Sequence, residues 1–507
     1  MLQPHPPIVP AAEGPHDHEL CDNVRPRAWR NPRPRGPYHL LVIGAGPAGL
    51  VAARGAAALG AKVALIERHR LGGDCLNYGC VPSKSLIRTS RLYADMRNAA
   101  NLGAPPPENI QVDFQMAMER VRRIRARISR VDSASRLAAA GIDVFFGTAR
   151  FTGGDVVDVD GTRLQFKKAM IATGSIPRLP SIPGLEEAGY LTNETVFDLT
   201  ELPRSLLVIG GGSTGCELAQ AFSRFGSRTI IVHQVPLFLP QEERDAALLL
   251  AEALARDGVE IHLNTTATRV HVEDGKKCVE TINDGNTAMI AVDQILTGIG
   301  HVPAVGGLGL EAAGVAYDAN VGIHVDDFLR TSNPRIYAAG DVCLEHRFTD
   351  SADAAARIVV RNALFLGRKR VSALTIPWCT YTDPEIAHVG IYVRQARERG
   401  IPVKTFTVPM HDVDRAITDG EEDGFVKIHV REGTDKILGA TVVARHAGEM
   451  INGLSLAMVA GIGLRTVARV IHTYPTQAEA IKMAANAYTR SRLSPFLAWL
   501  LRKWVNR

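Results

Sequence analysis

The chain has 507 residues, 46% of them apolar and 22% charged, and a net charge of +5, which suits roughly two to four domains with cores of their own. So small a charge excess excludes a general nucleic-acid surface, and seven cysteines spread along the chain exclude a short disulfide-dense scaffold. No run reaches membrane-spanning length, and "MLQPHPPIVPAAEGPHDHEL" lacks a basic leader ahead of an apolar core, so the cytoplasm is the expected compartment.

Residues 1–37, rich in Pro, His and Arg without apolar periodicity, are expected to be a disordered extension. Order is expected to begin at "YHLLVIGAGPAGLVAARGAAALGAKVALIER" (38–68), where a strand-length apolar run meets glycines, a small-residue helix and a second apolar strand. Gly44, Gly46 and Gly49 form a GxGxxG, and Glu67 ends the second strand eighteen residues after Gly49. In such a unit the first glycine allows a tight turn and the second lets backbone approach a pyrophosphate. The third permits close helix–strand packing, and the acid accepts hydrogen bonds from ribose hydroxyls.

Next comes "GGDCLNYGCVPSK" (72–84), with Cys75 and Cys80 five positions apart. Five residues of regular helix rise about 7.5 Å, whereas a disulfide wants Cα atoms roughly 4.4–6.8 Å apart. The pair can bridge only where the helix is distorted, which Gly79 and Pro82 allow. A structural zinc site needs two more ligands that no Cys or His pair supplies, and a structural bridge over so short a loop gains little. A redox-active pair remains. The helix dipole and Lys84 favour a thiolate there. Cys216, Cys278, Cys343 and Cys379 read as ordinary buried thiols.

The strand–glycine–helix–strand pattern recurs in "RSLLVIGGGSTGCELAQAFSRFGSRTIIVHQ" (204–234), with Gly210, Gly212 and Gly215. Two such units imply two dinucleotides. Eighteen residues beyond Gly215 the place of the acid is taken by His233, so a 2′-phosphate is not repelled. This favours NADPH over NADH, with Arg228 as a nearby attracting charge.

The first fingerprint, the Cx4C block, "IATGSIPRLP" (171–180), the second fingerprint and "TSNPRIYAAGDV" (331–342) occur in the order found in pyridine nucleotide–disulfide oxidoreductases. The chain resembles that family from about residue 38 to 490. The resemblance implies an α/β fold with two Rossmann-like dinucleotide-binding domains and an α+β dimerisation domain. Residues 38–185 and 307–373 would bind FAD, 186–306 NAD(P)H, and 374–507 would pair two subunits as a homodimer, each completing the other's active site. It further implies that Glu67 and Asp341 contact the ribose and ribityl parts of FAD, and that Thr173 and Gly174 line the flavin site. Lys84 would lie near the flavin and pair with Glu217. Cys80 would be the thiol against the flavin, forming a charge-transfer complex as thiolate, and Cys75 the outer interchange thiol. NADPH would pass hydride to the flavin, whose electrons open the Cys75–Cys80 bridge.

Near the end, "VIHTYPTQAEA" (470–480) discriminates among members. Relatives that reduce or form disulfides, such as dihydrolipoamide dehydrogenase, place a histidine before the proline, oriented by a glutamate five residues on as acid–base for the thiol. Here Glu479 is present but Tyr474 precedes Pro475, and a phenol is a poor proton shuttle at neutral pH. His472 lies two residues earlier, about 6.5 Å back along an extended segment. The chain is thus most similar to mercuric-reductase-like members, whose acceptor, a metal ion, needs no proton. No metal is expected to stay bound; Cys75 and Cys80 would ligate a substrate ion transiently. Three features depart from that pattern: no cysteine follows Cys379, residues 1–37 carry the lone Cys21 and no CxxC, and His301 stands where arginine is usual. Another soft electrophile therefore stays open as acceptor, beside a dihydrolipoamide dehydrogenase and a non-turnover flavoprotein that binds or senses. Leu497, Leu500, Leu501 and Trp504 share helical spacing with Arg502, Lys503 and Arg507 close by. This stripe is expected to pack on the dimer rather than on a membrane surface.

Overall fold

The computed structural model describes residues 14–365, 367–493 and 495–506, without the side chains at 495, 497 and 498. They form two compact units. One comprises the described residues through Ser90, Gln111–Gln234 and Asn264–Leu374; the other comprises Arg91–Ile110, Val235–Leu263 and the residues from Thr375 onward.

In the first unit, Tyr38–Ile43 runs parallel to Val63–Glu67 on one side and Thr162–Ile171 on the other, with Ile142–Phe146 beyond Val63–Glu67. Strand Ile336–Ala338 also pairs parallel with Thr162–Ile171. Alternation sorts the central strand's side chains between two cores. Leu40 and Val42 meet the alanine-rich helices Pro47–Ala58 and Thr349–Leu364, whereas Leu41 and Ile43 meet Phe145, Phe151 and Phe166. Both faces are covered, which is why the strand reads as an unbroken apolar run. The same arrangement is repeated by Ser205–Ile209, parallel to Arg228–Val232 and Gln294–Thr297, with the helix Ser213–Phe225 following the glycine turn. An antiparallel meander, Thr265–Glu273, Lys276–Asn283 and Asn286–Val292, completes this part.

The expected disorder of the N-terminal extension is corrected for residues 14–37. Pro15–Val24 is a helix whose Leu20 and Val24 are fully buried, and Leu71 N–H donates to the Val24 carbonyl at 3.1 Å. Trp29 Nε1 donates to the Val144 carbonyl at 3.2 Å, and Asn31 exchanges two 2.8 Å hydrogen bonds with the Phe146 backbone. Sparse apolar residues suffice here because the rest of the unit supplies the surface they cover. Residues 1–13 of that extension lie outside the described residues, as do the Leu497 side chain and Arg507. Helix Pro495–Val505 forms, with Leu500, Leu501 and Trp504 exposed on the single chain. Among the described residues no helix is long and apolar enough to cross a membrane.

The second unit is a five-stranded antiparallel sheet in the order Pro377–Thr380, Glu385–Gly390, Ile437–Ala444, Phe425–Arg431, Val403–Pro409. Helices Ala447–Val459 and Glu479–Ser491 share one core with it. A polar cluster is also buried in this unit. Glu242 accepts from Tyr392 Oη at 2.6 Å and Trp378 Nε1 at 3.2 Å, and His388 stacks on Tyr392 at 3.7 Å between centroids. Burial pushes the Glu242 carboxyl up, and these donors oppose that push. Removing one donor should be costly: Tyr392→Phe is expected to destabilise this unit by about 1–3 kcal/mol, a drop of several degrees in its calorimetric transition. An unchanged transition would show that the carboxylate does not rely on the phenol.

Candidate active site

The chain between the cysteines is broken where the sequence demands it. A short helix, Gly73–Asn77, ends at Tyr78, and a new helix, Cys80–Arg97, starts at Cys80. The Asp74 carbonyl accepts from both Tyr78 N (2.8 Å) and Gly79 N (2.7 Å). Glycine at 79 leaves room for the Asp74 carboxylate, which a Cβ there would displace. The break brings the two thiols into hydrogen-bonding contact.

That contact makes the sulfurs unequal. The hydrogen bond from Cys75, then the Lys84 ammonium one turn on and the Thr349 hydroxyl, overcome burial and hold the Cys80 thiol down to about 6. The same hydrogen bond, with burial added, pushes Cys75 up. Cys80 Sγ lies 3.6 Å from Thr349 Oγ1, in the first turn of the helix Thr349–Leu364, so two helix N-termini face this sulfur. Lys84 Nζ donates to Glu217 Oε2 at 2.8 Å from helix Ser213–Phe225, which follows the second glycine turn.

Asp74 and Thr349 were not singled out from sequence. Asp74 lies inside the Cx4C block, and Thr349 seven residues past "AAGDV"; only tertiary packing brings the threonine to the sulfur. Asp74 Oδ1 accepts from Asn193 Nδ2 at 2.9 Å. Burial raises its carboxyl, with His301 opposing and Asp341 adding to the rise, which places these acids and the histidine in one neighbourhood. Glu194 beside it is pushed up to about 7 by burial and then by Asp74. Asp341 accepts from Ser175 Oγ at 2.8 Å, Thr173 Oγ1 donates to the Ala304 carbonyl at 2.8 Å, and Gly174 takes φ +70°.

The glycine turns have the shape that dinucleotides require. A Cβ at Gly44 would strike the Ala172 carbonyl and one at Gly49 the Gly44 carbonyl, so both glycines serve the fold. Gly46, by contrast, has nothing nearer than 3.7 Å, leaving its backbone and the following helix N-terminus approachable. The second turn repeats this: Gly210 and Gly215 are hemmed in by backbone, whereas Gly212 has nothing within 4 Å. Glu67 is buried, accepting from Ala45 N (2.8 Å) and His69 N (2.7 Å), one bond per oxygen. Each oxygen keeps a lone pair for a ribose hydroxyl. These residues fit FAD in the first turn and a nicotinamide dinucleotide in the second.

At the position equivalent to Glu67, His233 Nδ1 accepts from Gly211 N at 3.2 Å. The ring proton must then sit on Nε2, which is buried without a protein partner. Burial lowers this imidazole's pKa and keeps it neutral. Arg228 does not assist it. It opens the strand Arg228–Val232 while His233 follows the other end, about 16 Å away at 3.3 Å per residue.

Tyr474 and Glu479 belong to the second unit. Tyr474 follows an extended stretch, is 65% exposed, and its Oη donates to Asp414 Oδ2 at 2.9 Å, which raises the phenol's pKa. Glu479 opens helix Glu479–Ser491. Between them Gln477 donates to Glu421 Oε2 at 2.5 Å, whose Oε1 accepts from Arg445 at 2.9 Å, anchoring the loop. His472 Nδ1 sits 3.3 Å from the Val470 carbonyl.

Two family models cover most of the chain: "Pyridine nucleotide-disulphide oxidoreductase" over residues 38–358, and that family's dimerisation domain over 376–485. Mercuric reductase of Lysinibacillus sphaericus is 34% identical over 453 residues, 89% of this chain and 83% of its own length. Dihydrolipoyl dehydrogenase of Geobacillus stearothermophilus is 34% identical over 455 residues, 88% of this chain and 95% of its own. Among solved structures, the HOCl-induced flavoprotein disulfide reductase RclA from Escherichia coli superposes with a TM-score of 0.80 at 31% identity, covering 89% of this chain and 99% of that one; a copper(II) complex of RclA gives 0.79. Members of the family use FAD and a pyridine nucleotide. With the matched models, the relatives and the cysteine and glycine geometry in agreement, this chain belongs to the pyridine nucleotide–disulphide oxidoreductase family.

Proposed function

We propose that the chain is an NADPH-oxidising, FAD-dependent reductase that works as a homodimer and passes electrons through Cys75 and Cys80 to a thiophilic metal ion or a related soft electrophile. The observation that carries this reading is the state of Tyr474. Its phenol already donates to Asp414 and has its pKa raised by that bond, so it is poorly suited to protonate a leaving thiol. Disulfide exchange needs that proton. Reduction of a metal ion does not. The dihydrolipoamide dehydrogenase reading keeps one support, an equal identity to those relatives.

FAD, held at Gly46, Glu67 and Asp341, would supply the two-electron exchange between nicotinamide and sulfur. This chain's own residues do the rest. Lys84, fixed by Glu217, keeps positive charge beside Cys80 and so favours its thiolate, while Cys75 holds its proton until an acceptor draws it into ligation. Two electrons leave the Cys80 thiolate and the Cys75 thiol as their sulfurs join, the Cys75 proton passes to solvent, and the electrons go to the acceptor, both to one Hg(II) or one to each of two Cu(II).

Steady-state NADPH oxidation is expected to rise with Hg(II) or Cu(II) and not with oxidised lipoamide. Turnover with lipoamide alone would move the chain to the dehydrogenase reading, and none with any acceptor to a binding or sensing flavoprotein.

The thiolate has its own signature. In the two-electron-reduced enzyme the long-wavelength absorbance should fade as pH falls through about 6, because Cys80 then takes up its proton. Lys84→Gln should move that midpoint upward, and Cys80→Ser should abolish the band while keeping the flavin. Persistence of the band in Cys80→Ser would overturn the assignment.

The preference for NADPH rests on His233, a neutral donor where a carboxylate would repel a 2′-phosphate. His233→Glu should lower the NADPH-to-NADH ratio of kcat/KM by about 10- to 100-fold, the equivalent of about 1.5–3 kcal/mol for a bond involving a charged group. An unchanged ratio would remove His233 from cofactor choice.

A further inference from the structure

The antiparallel meander of the first unit carries three potential metal ligands outside the redox centre. His271 and Cys278 stand directly opposite each other on neighbouring strands, and Glu273 lies two residues beyond His271, on the same face. Their ligand atoms all lie within 4.8 Å of one another, and His271 Nε2 is 3.7 Å from Glu273 Oε2. Bond lengths of about 2.0–2.3 Å to a tetrahedral zinc ion put donor atoms about 3.3–3.7 Å apart. One donor pair is at that spacing, and the others need to close by at most about 1.5 Å, within the reach of the half-exposed His271 and the exposed Glu273 side chains.

The scaffold is stiff where precision counts. Asp274 and Gly275 join the strands with φ +48° and +72°, the signature of a two-residue hairpin turn that fixes the register. On the opposite face Val270, Val279 and Ile290 are packed into a core. Cys278 lies on the middle strand and is buried, with the small Ala291 as its neighbour on the third strand. The competing cation, Lys276 opposite Glu273, is engaged by Asp293.

The geometry points to a binding site for a borderline-soft divalent cation of the zinc class, held by His271 Nε2, a Glu273 carboxylate oxygen and Cys278 Sγ, with the fourth position left to water. Binding releases the Cys278 proton to solvent and changes no oxidation state. One carboxylate and one thiolate neutralise the double positive charge, which suits a sulfur lying beneath the surface. The site is independent of the electron path proposed above.

The test titrates zinc(II) alone into the FAD-loaded enzyme with Cys75–Cys80 oxidised, so that those sulfurs cannot compete. One site per chain is expected, with zinc protecting Cys278 from alkylation. His271→Ala, a surface change, and Cys278→Ser should each weaken binding by more than about tenfold while NADPH oxidation is unchanged. No stoichiometric zinc, or zinc binding indifferent to both substitutions, would overturn the assignment and leave an ordinary surface ion pair over a buried thiol.

Discussion

Two sulfurs five residues apart cannot touch along a continuous helix, and the chemistry requires that they touch. The interruption at Tyr78–Gly79 resolves this conflict, and much of the first unit is arranged around it. The Asp74 carbonyl gathers the amides released by the break, its carboxylate packs against Gly79, and Asn193 holds that carboxylate from a distant part of the chain. A new helix begins at Cys80 itself, so the free amides of its first turn stand close to this sulfur. The inequality of the thiols is thus a product of the hydrogen bond between them first, and of Lys84 and Thr349 after it.

The two glycine turns build one scaffold that ends in two different side chains. In both, the amide after the first glycine donates to the side chain at the end of the second strand, Ala45 to Glu67 and Gly211 to His233. What remains of that side chain faces the opposite way in hydrogen-bonding terms. The carboxylate has lone pairs left to accept, whereas the imidazole has an N–H left to donate. Histidine in place of glutamate therefore puts a donating group where the first turn has an accepting one, without disturbing the turn.

Much of this was legible because it is periodic or local. Apolar runs of strand length, glycines at fixed offsets and a closely spaced cysteine pair each constrain the backbone within a few residues, and the structure follows them. What was not legible depends on distant partners. The order of residues 14–37 comes from Leu20, Val24, Trp29 and Asn31 meeting strands more than a hundred residues away in the case of Trp29 and Asn31. Arg228 was credited with proximity to His233 from sequence distance alone, although an extended strand carries residues five apart to opposite ends. Thr349 is more than 260 residues from Cys80 and carries no motif of its own. Tyr474 stands out in the sequence as a phenol ahead of Pro475, but its bond to Asp414 is not foreseeable from it.

The N-terminal helix bears on the redox loop itself, although it precedes the residues matched by the family model. Asp17, almost fully buried, lies 3.7 Å from Arg125 and from Arg122. Arg125, just as buried, donates to the Asn77 carbonyl, the last residue of the short helix that carries Cys75. A buried guanidinium is tolerable only where negative charge stands beside it, and Asp17 is part of that charge. The Val24 carbonyl takes the Leu71 amide at the entrance to the same loop, and Arg25 donates to the Arg68 and His69 carbonyls just beyond Glu67. The segment thus holds the stretch between Glu67 and the first cysteine. Its polar composition gave it the look of a tail, yet the same polar groups are what tie the loop down.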